Sequence, residues 1–135
     1  MTSSIVQPPN LYHTLRNHAF RINKIERSDG SAPWINVAND SSDPLWTPES
    51  PPWQNGWSNL GAPYAPVAFK RFLNWVHIRG AFVGGADNTV IFTLPQPYWP
   101  IYPETIAQST TDGLNLWTCQ IDTSGNVTYI TAGAL

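Results

Sequence analysis

The sequence predicts an all-β sandwich, a jelly-roll-like head, preceded by a short N-terminal coiled-coil helix, with a trimer expected. Three observations predict it. From residue 66 onward, apolar and polar residues alternate in short runs separated by Gly, Asp, Asn and Pro clusters. Between residues 11 and 25 the apolar positions instead recur at steps of 4 and 3. Charge divides the chain the same way: Arg16, Arg21, Lys24 and Arg27 face only Glu26 in residues 1–27, whereas residues 28–135 carry three basic and eight acidic side chains.

Composition narrows the class. At 135 residues the chain is one domain, or one domain with an appendage. Charged residues are 12% of it, about half the usual share, while aromatics reach 13% and include seven Trp. That excludes a disordered chain. No apolar run approaches the roughly 20 residues of a membrane span, so no membrane insertion is expected. The opening residues have no basic segment followed by an apolar one, so no signal peptide is expected. The single Cys119 rules out an internal disulfide framework. A net charge of −2 argues against a nucleic-acid partner.

Residues 1–9 read as an arm and 10–28 as the helix. Pro8 and Pro9 cannot lie within a helix, Asn10 is a good N-cap, and Ser28-Asp29-Gly30 stops the pattern. Leu15 and Ile22 take heptad position a; Leu11, His18 and Ile25 take d. Arg21 and Glu26 then fall at g and the next e, where interchain salt bridges form. Ile at both a and d favours trimers over dimers. The alternative is an amphipathic helix lying on its own domain, since an isolated helix of this length is marginal in water.

Residues 29–57 form a Pro- and Trp-rich strap without helical or strand period. Pro33, Pro44, Pro48, Pro51 and Pro52 favour extended chain, and Trp34, Trp46, Trp53 and Trp57 are too apolar to leave in water. An ordered strap on the body is expected; a sugar-stacking surface is the functional alternative.

Residues 58–135 are the head. Strands are expected at 66–72, 74–83, 89–94, 104–109, 114–121 and 126–131, with turns at 84–88, 111–113 and 122–125. In the second strand Val76, Ile78 and Phe82 share one face. Trp75, His77 and Arg79 share the other, a candidate intersubunit surface. Pro95, Pro97, Pro100 and Pro103 break regular structure around Tyr98, Trp99 and Tyr102. Those three rings form either a glycan-contacting patch or a packed crossover loop.

Catalytic chemistry finds no foothold. No Ser, Cys or Asp is spaced with His13, His18 or His77 as a known motif requires. Asp40, Asp43, Glu49, Asp87, Glu104, Asp112 and Asp122 fall in or beside predicted turns and loops, not as the facing pair of a glycosidase. Asp122-Thr123-Ser124-Gly125-Asn126 has a calcium-loop composition that a hairpin turn also requires. No cofactor or metal is expected.

Several segments in order resemble one family. They are Thr14-Leu15-Arg16-Asn17-His18 leading to Arg21-Ile22, Asn55-Gly56-Trp57, and Tyr64-Ala65-Pro66-Val67-Ala68-Phe69-Lys70. Val76-His77-Ile78-Arg79-Gly80, Gly84-Gly85 and Ile91-Phe92-Thr93-Leu94-Pro95 with Tyr98-Trp99-Pro100 follow. Over residues 11–130 the chain resembles the small C-terminal β-domains of minor tail and receptor-binding proteins of phages infecting actinobacteria. The resemblance implies a non-enzymatic virion protein, made in the host cytoplasm, with coil and strap leading to a trimeric head at or near the tail tip. Its partners would be two sister chains, another virion protein through residues 1–9, and a host cell-surface glycan. Family members are usually the ends of much longer proteins, whereas this chain is nearly all head. A capsid decoration protein at threefold positions suits the same features. A cell-envelope glycan hydrolase fits them less well.

Overall fold

The computed structural model describes residues 13–21, 33–110 and 115–134, with side chains at Phe20, 33–110 and 115–130. Val, Ile, Phe and Trp at alternate positions suit a pleated surface buried on one side, and nine strands form among the described residues. They are β1 (His13–Arg21), β2 (Ile35–Asn36), β3 (Trp57–Asn59), β4 (Ala68–Phe72), β5 (Trp75–Gly84), β6 (Thr89–Thr93), β7 (Glu104–Ser109), β8 (Asn115–Ile121) and β9 (Asn126–Ala134). The six strands expected between residues 66 and 131 are all present; the largest change at an end is β9 running on to Ala134.

The strands divide into two antiparallel sheets. Sheet 1 has the order β1-β5-β4-β2, with β3 also on β5; sheet 2 has the order β6-β9-β8-β7. Sheet 2 is a Greek key: β7, β8 and β9 follow one another by hairpins, and β6 joins beside β9 through the long connection Leu94–Pro103. The coarser expectation of an all-β sandwich describes what forms.

Aromatic rings bind the two sheets face to face. Phe69 of β4 stacks on Phe92 of β6 at 6.3 Å, and Phe82 of β5 meets Trp117 of β8 edge-on at 5.4 Å. Trp57 of β3 lies 5.2 Å from Tyr129 of β9. Val37, Val67, Val76, Ile78, Ile91, Leu94, Ile121 and Val127 fill the space between them.

The strap is tied to both sheets. Val37 N–H donates to the Val67 carbonyl, Gln54 N–H to the Ile91 carbonyl and Asn55 Nδ2 to the Val90 carbonyl, at 2.8 to 3.0 Å. Gln54 and Asn55 thereby bond to carbonyls of β6, an outer strand of sheet 2. Trp53 packs edge-on against Phe92.

One expectation is corrected. Residues 13–21 were expected inside the coiled-coil helix and are strand β1, paired antiparallel with β5 from His13↔Phe82 to Arg21↔Trp75. Phe20, which the heptad leaves outside its seam, is buried in the core. The register shifts between Leu15↔Gly80 and His18↔Ile78, so β1 holds one residue more than its partner. That extra residue creates the spacing of 3 that resembles a heptad step. Leu15, His18 and Arg21 are therefore strand residues; Leu11, Ile22, Ile25 and Glu26 lie outside the described residues, as does the arm 1–9.

Candidate functional site

The end of the sandwich where β4 stops and β6 stops holds four of the large apolar side chains that are exposed among the described residues. Two connections build it. The first is the β4–β5 hairpin, whose Phe72↔Trp75 pairing leaves a two-residue turn, Leu73-Asn74. Leu73 has φ +56, a left-handed conformation favoured by Gly or Asn and costly for a branched apolar residue. Leu73 is 41% exposed, and Phe72 and Trp75 are each 39% exposed. The fold holds a leucine in strained backbone and still leaves much of it in water.

The second connection is the crossover Leu94–Pro103. Pro95 starts a single 3-10 turn, Gln96–Tyr98. Leu94 N–H donates to the Gly125 carbonyl at 2.9 Å, and Trp99 Nε1 donates to the Leu94 carbonyl at 2.7 Å. A side chain on Gly125, at φ +81, would overlap the Trp99 indole. Tyr98 points inward, 5.0 Å from Phe69 and beneath the Arg71 guanidinium at 5.3 Å. The structure divides the trio that was expected either as a glycan patch or as a packed crossover loop. Tyr98, 9% exposed, and the partly buried Trp99 are packing residues; Tyr102, 72% exposed, is the one presented to solvent.

Sheet 1's outer face carries the cations. Trp75, His77 and Arg79 alternate outward on β5 between the buried Val76 and Ile78, as expected. The structure adds Trp34 and Lys70 to that face: Lys70 Nζ lies 5.0 Å and Arg79 Cζ 4.1 Å from the centroid of the Trp34 ring. Sequence reasoning missed this grouping, because Trp34 precedes β2 and joins Lys70 only through sheet pairing. A third feature is an apolar hollow of about 280 Å³ lined by Leu45, Asn59, Pro63, Tyr64 and Pro66.

The remaining polar groups serve the fold. Asp122 Oδ1 accepts from the N–H groups of Ser124 and Asn126 at 2.9 and 3.0 Å, and its Oδ2 accepts from Asn126 Nδ2 at 3.1 Å. The calcium-like composition is thus spent on the β8–β9 turn. Ser42 side-chain and backbone donors hold the exposed Asp40 carboxyl below its usual pKa. Burial pushes the Tyr129 hydroxyl up to about 12, with Asp87 and Cys119 adding to it. Among the described residues no group of three or more His, Cys, Asp and Glu is placed to hold a metal. Nor, among them, is any helix long and apolar enough to cross a membrane.

Burial also pushes the Cys119 thiol far above its ordinary pKa. A thiol reagent at pH 8 is therefore expected to label the native protein at least about a hundredfold more slowly than the urea-unfolded chain. Equal rates, followed by mass spectrometry, would show that Cys119 is accessible.

Comparisons with protein-family models, curated proteins and solved structures found no match for this chain.

Proposed function

We propose that this chain is a non-enzymatic virion structural protein, a tail-tip or minor tail component of a phage of actinobacteria, acting as a trimer in host-surface attachment. The observation that carries the reading is the gathering of Phe72, Leu73, Trp75 and Tyr102 in the two connections at one end of the sandwich. Exposed apolar groups clustered on a small domain mark a contact surface. A leucine kept in left-handed backbone without full burial adds to that, since strain persists where function uses it. The resemblance to phage tail domains supplies the setting, with a host-envelope glycan as the partner.

The test compares the wild-type chain with a Leu73→Asn, Tyr102→Ser variant. Asn tolerates left-handed backbone, and Tyr102 is mostly in water, so melting is expected to stay within about 5 °C. Binding of labelled protein to actinobacterial cells, read by flow cytometry, is expected to fall at least about tenfold. Equal binding by both proteins would remove this end as the contact surface. Absent binding by either, with hundreds of copies per virion, would favour capsid decoration. Release of soluble sugar from host envelope would favour the hydrolase. Light scattering checks the trimer: a mass of one chain would remove it.

A further inference from the structure

Strand alternation points Ala68 and Lys70 outward from sheet 1, because Phe69 between them is in the core. Ala68 is nonetheless fully buried. Arg79 is its register partner on β5, and Trp34 lies just before the β2 residues that pair with β4. The Arg79 guanidinium and the Trp34 indole meet on this face at 4.1 Å, and a residue as small as alanine leaves room for them to do so. Lys70 joins the same ring at 5.0 Å, and His77 stands directly opposite Lys70 in the β4–β5 register.

Among the described residues this grouping brings basic side chains together without an acid. Neither Lys70, His77 nor Arg79 makes an ion pair among the described residues. Of the described acids, Asp40, Asp43, Glu49, Asp87 and Asp122 stand in loops and turns, and Glu104 opens β7 of sheet 2. Arg79 Nε is buried and has no hydrogen-bond partner among the described residues. An unmet donor on a buried cationic atom is costly, and native proteins rarely leave one. Two cations fixed on one indole, a histidine beside them and an unmet guanidinium donor are the parts of an anion site. Arginine supplies a planar fork and lysine a mobile point charge.

We propose that the Trp34, Lys70, His77 and Arg79 face binds an oxyanion, a phosphate or carboxylate group. The site holds whether or not the crossover end attaches to a host, because it uses none of Phe72, Leu73, Trp75 or Tyr102.

The test is an NMR titration of the full chain at constant ionic strength, following the Trp34 indole N–H, the Arg79 Nε–H and the His77 ring. Sodium phosphate is the probe in one arm and sodium glucuronate in the other. Saturable shifts at millimolar concentration, confined to this face, are expected in at least one arm. Phosphate alone would point to phosphate groups, glucuronate alone to carboxylates, and both to oxyanions generally. Lys70→Gln keeps the side-chain stem and should weaken binding about tenfold. Arg79→Lys keeps the charge but loses the fork and Nε, and should weaken it as much. A dispersed spectrum shows that each variant is folded. Shifts that follow sodium chloride equally well, or that neither substitution changes, would overturn the site.

Discussion

Gly80→Ala is expected to remove a large part of the stability of the native fold. Gly80 sits in β5, the strand that carries β1 on one side and both β3 and β4 on the other. Its φ of +120 is closed to L side chains, and an added Cβ would overlap the Val67 backbone and stand 2.6 Å from the Pro66 carbonyl oxygen. Backbone cannot swing away as a side-chain tip can. The passing segment is also pinned: Leu60 N–H donates to the Ala81 carbonyl, Ala81 N–H to the Ala65 carbonyl, and Val67 N–H to Asn59 Oδ1, at 2.8 to 3.2 Å. Relief of the overlap must break part of this set or part of the β5 pairing. A loss of at least about 4 kcal/mol follows, against a total stability of roughly 5–15 kcal/mol.

Gly61→Ala is the control. Gly61 has a comparable φ of +98 but nothing within 4 Å of an added Cβ. It should cost only the backbone strain, about 1–2 kcal/mol. Urea unfolding followed by Trp fluorescence separates the two. A Gly80→Ala midpoint no lower than that of Gly61→Ala would refute the close approach.

Trp117→Ala is expected to destabilise the sandwich by about 3–5 kcal/mol. Trp117 is fully buried in β8, edge-on to Phe82 and within 6.4 Å of Tyr129, and its Nε1 donates to the Ser109 carbonyl at 3.1 Å. Truncation would leave a cavity between the sheets and remove a hydrogen bond across the β7–β8 hairpin. Trp117→Phe fills much of the cavity but cannot donate, so it should cost about 1–2 kcal/mol. Differential scanning calorimetry of the three proteins gives the order. An alanine variant melting with the wild type would mean that Trp117 is not a bridge between the sheets.

Both predictions show how unevenly the fold could be read from the chain. The strands after residue 66 were legible because one face of each is buried and the other is not, which writes a period of 2 into sequences such as Trp75-Val76-His77-Ile78-Arg79. Turns were legible where Gly and Asp cluster. Segment 13–21 was misread because a bulge between Leu15 and His18 inserts a step of 3 into a strand. A short run of 4 and 3 steps is shared by a bulged strand and a brief heptad seam, and only the partner strand distinguishes them. Strands β2 and β3, two and three residues long, are too short to carry a period at all.

The candidate surfaces divide in the same way. Trp75, His77 and Arg79 were legible as one outward face because they lie on one strand. Tyr98 and Tyr102, close in sequence, part company because the crossover loop turns Tyr98 onto Phe69 and leaves Tyr102 outside. No local pattern encodes that choice; the packing of β4 against β6 makes it. The left-handed Leu73 and the Trp34–Lys70–Arg79 grouping were invisible for a related reason, since each depends on register.

By itself, then, the sequence determined that the part after residue 66 is built of strands buried on one face, because alternation and turn chemistry are local. Only the tertiary structure decided which aromatic side chains are core and which are surface, which strand pairs with the N-terminal segment, and which cations share a ring. Those outcomes are set by contacts between residues distant in sequence.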